Sequence, residues 1–196
     1  MDQKVKQFEQ LFTEIFACQK CKLHETANKK VVCRGNLDAS LLLVGEAPGK
    51  EEDQTGVPFV GRAGQILGIL LSYADFPTNS YFICNTICCR PPNNRMPTPE
   101  EKLACRPFLE RFINLVDPVV IVPLGKTATT SVFDYYDIKL NSQSMTALRG
   151  VSKRTSTEKI VFPVYHPAAL LYNSALFDIA KKDFLQLREI VDRVIR

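Results

Sequence analysis

Four stretches of the chain, Leu41 to Gly45, Tyr81 to Asn85, Val119 to Leu124 and Val161 to Tyr165, are almost unbroken apolar or β-branched sequence. A strand with one wet face alternates apolar with polar residues. These do not, so each predicts a strand covered on both faces, as in a parallel sheet. Helical patterns fall between them, at about residues 63 to 74, 98 to 115 and 126 to 134. The second has a start signal: Thr98 as cap, Pro99 in the first helical position, then Glu100 and Glu101. Strand alternating with helix four times predicts a doubly wound α/β sheet. Residues 3 to 16 place Val5, Phe8, Leu11, Phe12, Ile15 and Phe16 at helical spacing, and residues 176 to 195 place Phe177, Ala180, Phe184, Leu187, Val191 and Val194 on one face. Residues 138 to 158, rich in Ser, Thr and basic residues, read as a long surface loop.

With 196 residues, 45% of them hydrophobic, the chain can bury one substantial core, so residues 1–196 are expected to form a single domain. A net charge of +4 permits a polyanionic partner without requiring one. No apolar run approaches membrane-spanning length, and the opening Met1-Asp2-Gln3-Lys4 begins an amphipathic pattern rather than a signal core. An intracellular, cytoplasmic protein is therefore expected. In that reducing setting the seven cysteines predict thiols or metal ligands rather than disulfides.

Three of the apolar runs end on chemistry. The first closes on Gly45-Glu46-Ala47-Pro48-Gly49, the second on Asn85, the last on Tyr165-His166-Pro167. Ligands of open α/β sheets bind at the carboxyl ends of the strands. A carboxylate, an amide and an imidazole there, with aromatic Phe59 following the first, suit a flat nitrogenous base. Cys18 and Cys21 form a C-x2-C pair, and Cys89 and Cys105 have fifteen residues between them, with Cys84 and Cys88 nearby. Four such sulfurs suit zinc or a 4Fe–4S cluster equally, and spacing does not choose. Cys33 and Cys84 read as small buried apolar residues. Gly49-Lys50 and Gly125-Lys126-Thr127 lack the earlier glycine of a phosphate-binding loop, which argues against nucleotide hydrolysis.

The run Gly45-Glu46-Ala47-Pro48-Gly49-Lys50-Glu51-Glu52-Asp53, continued by Gly56-Val57-Pro58-Phe59-Val60-Gly61-Arg62-Ala63-Gly64, resembles the iron–sulfur (family 4) uracil-DNA glycosylases. So do Asn85 with Cys89-Arg90-Pro91-Pro92, Pro97-Thr98-Pro99-Glu100-Glu101, Cys105-Arg106-Pro107 and His166-Pro167-Ala168-Ala169-Leu170-Leu171. The likeness covers nearly the whole chain in order. It implies a three-layer α/β/α sandwich around a four-stranded parallel sheet, a 4Fe–4S cluster, and excision of uracil from DNA. The implied ligands are Cys18, Cys21, Cys89 and Cys105. Cys88 is a rival, but the family's third ligand directly precedes Arg-Pro-Pro, which selects Cys89.

The resemblance carries roles onto the strand ends. A base cut from a duplex must leave the stack and enter a pocket, where Phe59 is the stacking residue. Asn85 accepts from N3–H of uracil and donates to O4, a pattern cytosine reverses. His166 and the N–H groups of the Gly45 to Gly49 turn, Ala47 included, are donors to the charge that builds on O2. Glu46 stabilises the sugar cation or the attacking water, and Glu52 forms a wall against a thymine methyl. Glu51 and Asp53 are expected to be solvated. Arg62, Arg149, Leu170, Leu171 and Tyr172 are expected to meet DNA, with Arg90, Arg95, Lys153 and Arg154 as further backbone contacts. Many relatives have arginine where this chain has Tyr172. The expectation is thus a monomeric, monofunctional glycosylase acting on uracil-containing DNA, single- or double-stranded. The rival readings are a catalytically silent iron–sulfur adaptor of the same fold and a redox protein.

Overall fold

The computed structural model describes residues 3–140 and 144–195. In chain order the helices are α1 (Gln3–Ala17), α2 (Leu23–Thr26), α3 (Lys50–Thr55), α4 (Arg62–Tyr73), α5 (Pro99–Val116), α6 (Gly125–Tyr135), α7 (Met145–Leu148), α8 (Pro167–Leu170) and α9 (Ala175–Val194). The strands are β1 (Cys33–Gly35), β2 (Leu41–Gly45), β3 (Tyr81–Asn85), β4 (Val120–Pro123), β5 (Lys153–Arg154) and β6 (Ile160–Val161).

The sheet has six strands rather than the four expected, in the order β1-β3-β2-β4-β6-β5. Strands β3, β2, β4 and β6 run parallel through its centre, and β1 and β5 pair antiparallel at the two edges. The sheet is therefore mixed. The last predicted strand is shorter than its apolar run because Phe162 donates to Ile121 but Pro123, next on β4, has no N–H to return to the Phe162 carbonyl. Its backbone still follows β4, with Val164 donating to Pro123 and Gly125 donating to Val164.

Burial on both faces explains the unbroken apolar strands. Leu42, Val44, Phe82 and Ile121 face a core completed by Leu11 and Ile15 of α1, Phe108 and Phe112 of α5 and Val132 of α6. Leu41, Leu43, Ile83 and Val122 face a second core with Leu67 and Leu70 of α4 and Phe184 and Leu187 of α9. This gives the three-layer arrangement. Helix α5 starts as its sequence dictates: the Thr98 hydroxyl accepts from Glu101 N, and the Glu101 carboxylate accepts from Thr98 N. The loop expected over residues 138 to 158 contains α7 and β5, and residues 141–143 of it lie outside the described residues. No helix among the described residues is long and apolar enough to cross a membrane.

Candidate active site and cysteine cluster

Parallel pairing puts Gly45 directly opposite Asn85, so the ends of β2 and β3 meet. Thr86 ties the two tips, donating from N to the Gly45 carbonyl and from its hydroxyl to the Glu46 carbonyl, at 2.9 and 2.6 Å. A Cβ on Gly45 would overlap the Asn85 amide oxygen and lie 2.6 Å from the Phe59 ring. Only glycine lets amide and ring approach this closely. Around these tips opens a pocket of about 340 Å³ lined by Glu46, Ala47, Glu52, Phe59, Asn85 and His166, together with Arg62, Leu171 and Tyr172.

Asn85 is buried, 4% exposed, and its Oδ1 has no hydrogen-bond partner. Phe59 is also buried, its ring centroid 6.1 Å from that of His166 with the planes 34° apart. Its backbone is left-handed, φ 55°. For a bulky residue that conformation costs about 1–3 kcal/mol and is retained where surrounding structure imposes it. The constraint is visible: Gly64, at the start of α4, packs its bare Cα on the Phe59 carbonyl, where any Cβ would collide.

His166 caps α8. Its Nδ1 accepts from Ala168 N at 3.1 Å, which places the proton of the neutral ring on Nε2. Desolvation pulls its pKa below the usual histidine value, against the opposing charge of Glu46. The neutral donor form is thereby favoured.

Glu52 differs from the simple wall that the sequence implies. It is buried, Oε2 accepting from Gly49 N at 3.0 Å and Oε1 from Val60 N and Gly61 N at 3.0 and 2.8 Å. One carboxylate thus clasps the glycine turn to the turn bearing Phe59. Asp53, expected to be solvated, is 1% exposed and accepts from the backbone N–H groups of Asn28 and Lys29. Glu51 is exposed.

The expected DNA contacts divide. Arg62 is exposed at the pocket, Leu171 lines it, and Tyr172, 87% exposed, stands on its rim. Leu170 is 5% exposed and packs into the core instead. Arg149 is held inward: it pairs through Nε and Nη2 with Asp183, which is wholly buried, and lies over the Tyr165 ring. Arg90 donates to Asn94, Arg95 pairs with Glu101, and Arg154 pairs with Glu158. The sequence reasoning missed that Pro91, Asn94 and Arg95 line the pocket.

The cysteines gather at one place. Cys18 at the end of α1, Cys21 before α2, Cys88 and Cys89 after β3, and Cys105 in α5 line a single small cavity with Ile15, Phe108, Lys20 and Lys30. Cys33 and Cys84 stand opposite each other in the β1–β3 pair, outside that lining. A hydrogen bond from the Cys88 thiol pulls the Cys105 pKa below the usual thiol value, whereas burial raises that of Cys89 to about 11. Among the described residues, no three His, Cys, Asp or Glu side chains are placed to hold a single metal ion.

This architecture agrees with the comparisons. The family described as Uracil DNA glycosylase superfamily matches residues 33–190. The chain is 41% identical over 186 residues to the type-4 uracil-DNA glycosylase of Sulfurisphaera tokodaii, covering 93% of this chain and 84% of that one. It is 46% identical over 156 residues to the type-4 uracil-DNA glycosylase of Thermotoga maritima, covering 80% and 79%. With that of Archaeoglobus fulgidus it shares 37% over 187 residues, covering 95% and 94%. The chain belongs to the uracil-DNA glycosylase superfamily and, within it, to the type-4 enzymes.

Proposed function

We propose that this chain flips uracil out of DNA, hydrolyses its N-glycosidic bond and leaves an abasic site for base-excision repair. The orphaned Asn85 oxygen carries the reading. A buried acceptor without a donor costs about 1–3 kcal/mol, and this one lies in a pocket shared with Phe59 and His166. Uracil satisfies an amide there with N3–H and O4. Cytosine presents an acceptor and a donor at the same positions, so a fixed amide rejects it. Phe59 supplies the face on which the base stacks.

As the bond breaks, negative charge gathers on uracil O2. His166, neutral with its proton on Nε2, is the donor for that oxygen, and one preorganised donor is worth about 3 kcal/mol. Backbone N–H groups of the Gly45 to Gly49 turn, Ala47 among them, act beside it. Glu46 supplies negative charge for the sugar cation and an acceptor for the attacking water. Lys50 lines the pocket but is exposed to solvent next to Glu51; we read the nucleophile as water and the reaction as monofunctional. Arg62, Leu171 and Tyr172 meet the DNA around the extruded nucleotide. We take residues 1–196 as one domain that works as a monomer inside the cell on single- or double-stranded DNA.

The sulfur cavity supports a 4Fe–4S cluster held by Cys18, Cys21, Cys89 and Cys105. The donor set is all thiol, as such clusters require. In a 4Fe–4S cluster each of the four irons would take one thiolate, so the four cysteines would stand farther apart than the four around one zinc. Five cysteines that share one cavity supply enough thiols for such a cluster, and the resemblance to the iron–sulfur glycosylases favours it over zinc. When bound, the cluster would tie α1, the loop after β3 and α5 together, with Cys88 beside it as a fifth thiol.

The test is incubation with a uracil-containing oligonucleotide followed by alkali. The native protein yields alkali-labile strands, and a cluster-loaded Asn85→Ala variant does not. A loaded native protein without activity would favour the silent adaptor.

A further inference from the structure

We infer that Lys30 is the counter-charge and hydrogen-bond donor of the cysteine-bound cluster, raising its reduction potential and protecting it from loss. This rests on the cluster reading above. The Lys30 ammonium lies 3.1 Å from the Cys18 carbonyl and 3.4 Å from Cys89 Sγ, so it bridges two separate ligand-bearing segments. Its backbone is fixed on both sides: Asp53 accepts from Asn28 N and Lys29 N just before it, and Val31 N donates to the Cys88 carbonyl just after it. The side chain is only partly buried, and among the described residues no carboxylate pairs with its ammonium. Two acids of neighbouring segments are otherwise engaged, Glu101 with Arg95 and Asp53 with the 28–29 backbone. Lys20 lines the same cavity, its ammonium 5.4 Å from the Phe108 ring centre. Lys30 is the one of the two that touches sulfur.

The chemistry follows from charge. Four thiolates give a cluster site net negative charge, and one-electron reduction adds another negative charge. A fixed ammonium stabilises the reduced form more than the oxidised form, and an N–H···S bond withdraws charge from the iron–thiolate bond; both raise the potential. The same bond holds the Cys89 sulfur in place while the Cys18 contact holds the C-x2-C loop, which slows release of iron to a chelator.

The experiment compares cluster-loaded wild type, Lys30→Met and Lys30→Arg. Iron and acid-labile sulfide are assayed first, then the dye-equilibrated midpoint of one-electron reduction by dithionite, then bleaching by a chelator in air. Lys30→Met is expected to shift the reduction equilibrium about tenfold toward the oxidised form, 59 mV for one electron, and to bleach several-fold faster. Lys30→Arg is expected to stay near wild type. An unchanged midpoint and bleaching rate in loaded Lys30→Met overturns the inference, as does Lys30→Arg behaving like Lys30→Met. Should Lys30→Met fold, by circular dichroism, yet hold no iron, a loaded Lys30→Arg supports the role and an equally empty Lys30→Arg overturns it. Absence of iron and sulfide in the wild type is a different result: it overturns the cluster reading itself, and this inference with it.

Discussion

Replacing Asn85 with leucine is expected to stabilise the free protein while disabling it. The two side chains have nearly the same shape, so the change removes polarity with little change in volume. In the free protein Oδ1 is buried without a donor, and relieving that costs nothing elsewhere. The gain is about 1–3 kcal/mol, which for a chain of this size raises Tm by about 2–12 °C. Bound uracil reverses the sign, because its N3–H and O4 would now face an apolar group. Two buried orphans at about 1–3 kcal/mol each, with about 1.4 kcal/mol per tenfold, lower the cleavage rate between about 30-fold and about 10⁴-fold. Single-turnover cleavage of a uracil oligonucleotide and thermal melting, at matched iron content, read both effects. Free uracil should raise the Tm of the native protein and leave the variant unmoved. A variant that melts lower while cutting at the native rate would refute the reasoning, since the amide would then be satisfied by the protein alone.

Four other perturbations separate roles. Burial holds the His166 pKa below its usual value, so the unfolded state takes up the proton first; stability from this group is present above the unfolded value of about 6.5 and lost as pH falls from there through the folded value. Cleavage should stay level through neutrality and fall only in acid, and a pH–rate limb unchanged in His166→Gln would exclude this assignment. Glu52→Ala strips the acceptor from three backbone N–H groups, an expected loss of about 3 kcal/mol seen as a lower Tm, with Glu52→Gln falling between. Arg149→Met leaves the fully buried Asp183 unpaired and should destabilise by about 3–5 kcal/mol without changing the salt dependence of DNA binding. Arg62→Ala should do the reverse, reducing the salt slope by about one unit and leaving the melt unmoved.

The central strands were legible because burial on two faces leaves an apolar imprint that needs no partner to recognise. β2 and β3 match their predicted bounds to the residue. The edge strands left none: Cys33–Gly35 and Lys153–Arg154 are three and two residues long, not fully buried, and are strands only through pairing with β3 and β6. α3 and α8, six and four residues, are likewise too short for periodicity and are set by their caps. At the site, the strand tips announced themselves by ending apolar runs on polar residues. The left-handed Phe59 backbone did not, because nothing in Pro58-Phe59-Val60 encodes it apart from a glycine five residues later that packs beneath it. Nor did the inward turn of Arg149, whose partner is 34 residues away on α9.

The acidic run after the glycine turn is where composition misled most, and its structure links the two halves of the molecule. Charge patterning makes Glu51 and Asp53 solvated residues, and of the two only Glu51 is exposed. A six-residue helix has no stability of its own, so α3 exists because its acids find backbone donors. Glu52 faces one way and clasps Gly49 to the Phe59 turn; Asp53, its neighbour, faces another and grips Asn28 and Lys29, the strap that runs to the cysteine cavity. Adjacent residues on one turn thus brace the base pocket and the sulfur site. An N-terminal segment that carries two of the four proposed ligands, and contributes nothing to the pocket lining, is thereby fixed relative to the ring on which uracil stacks. This would give the proposed cluster a structural reason to sit beside a reaction that involves no electron transfer.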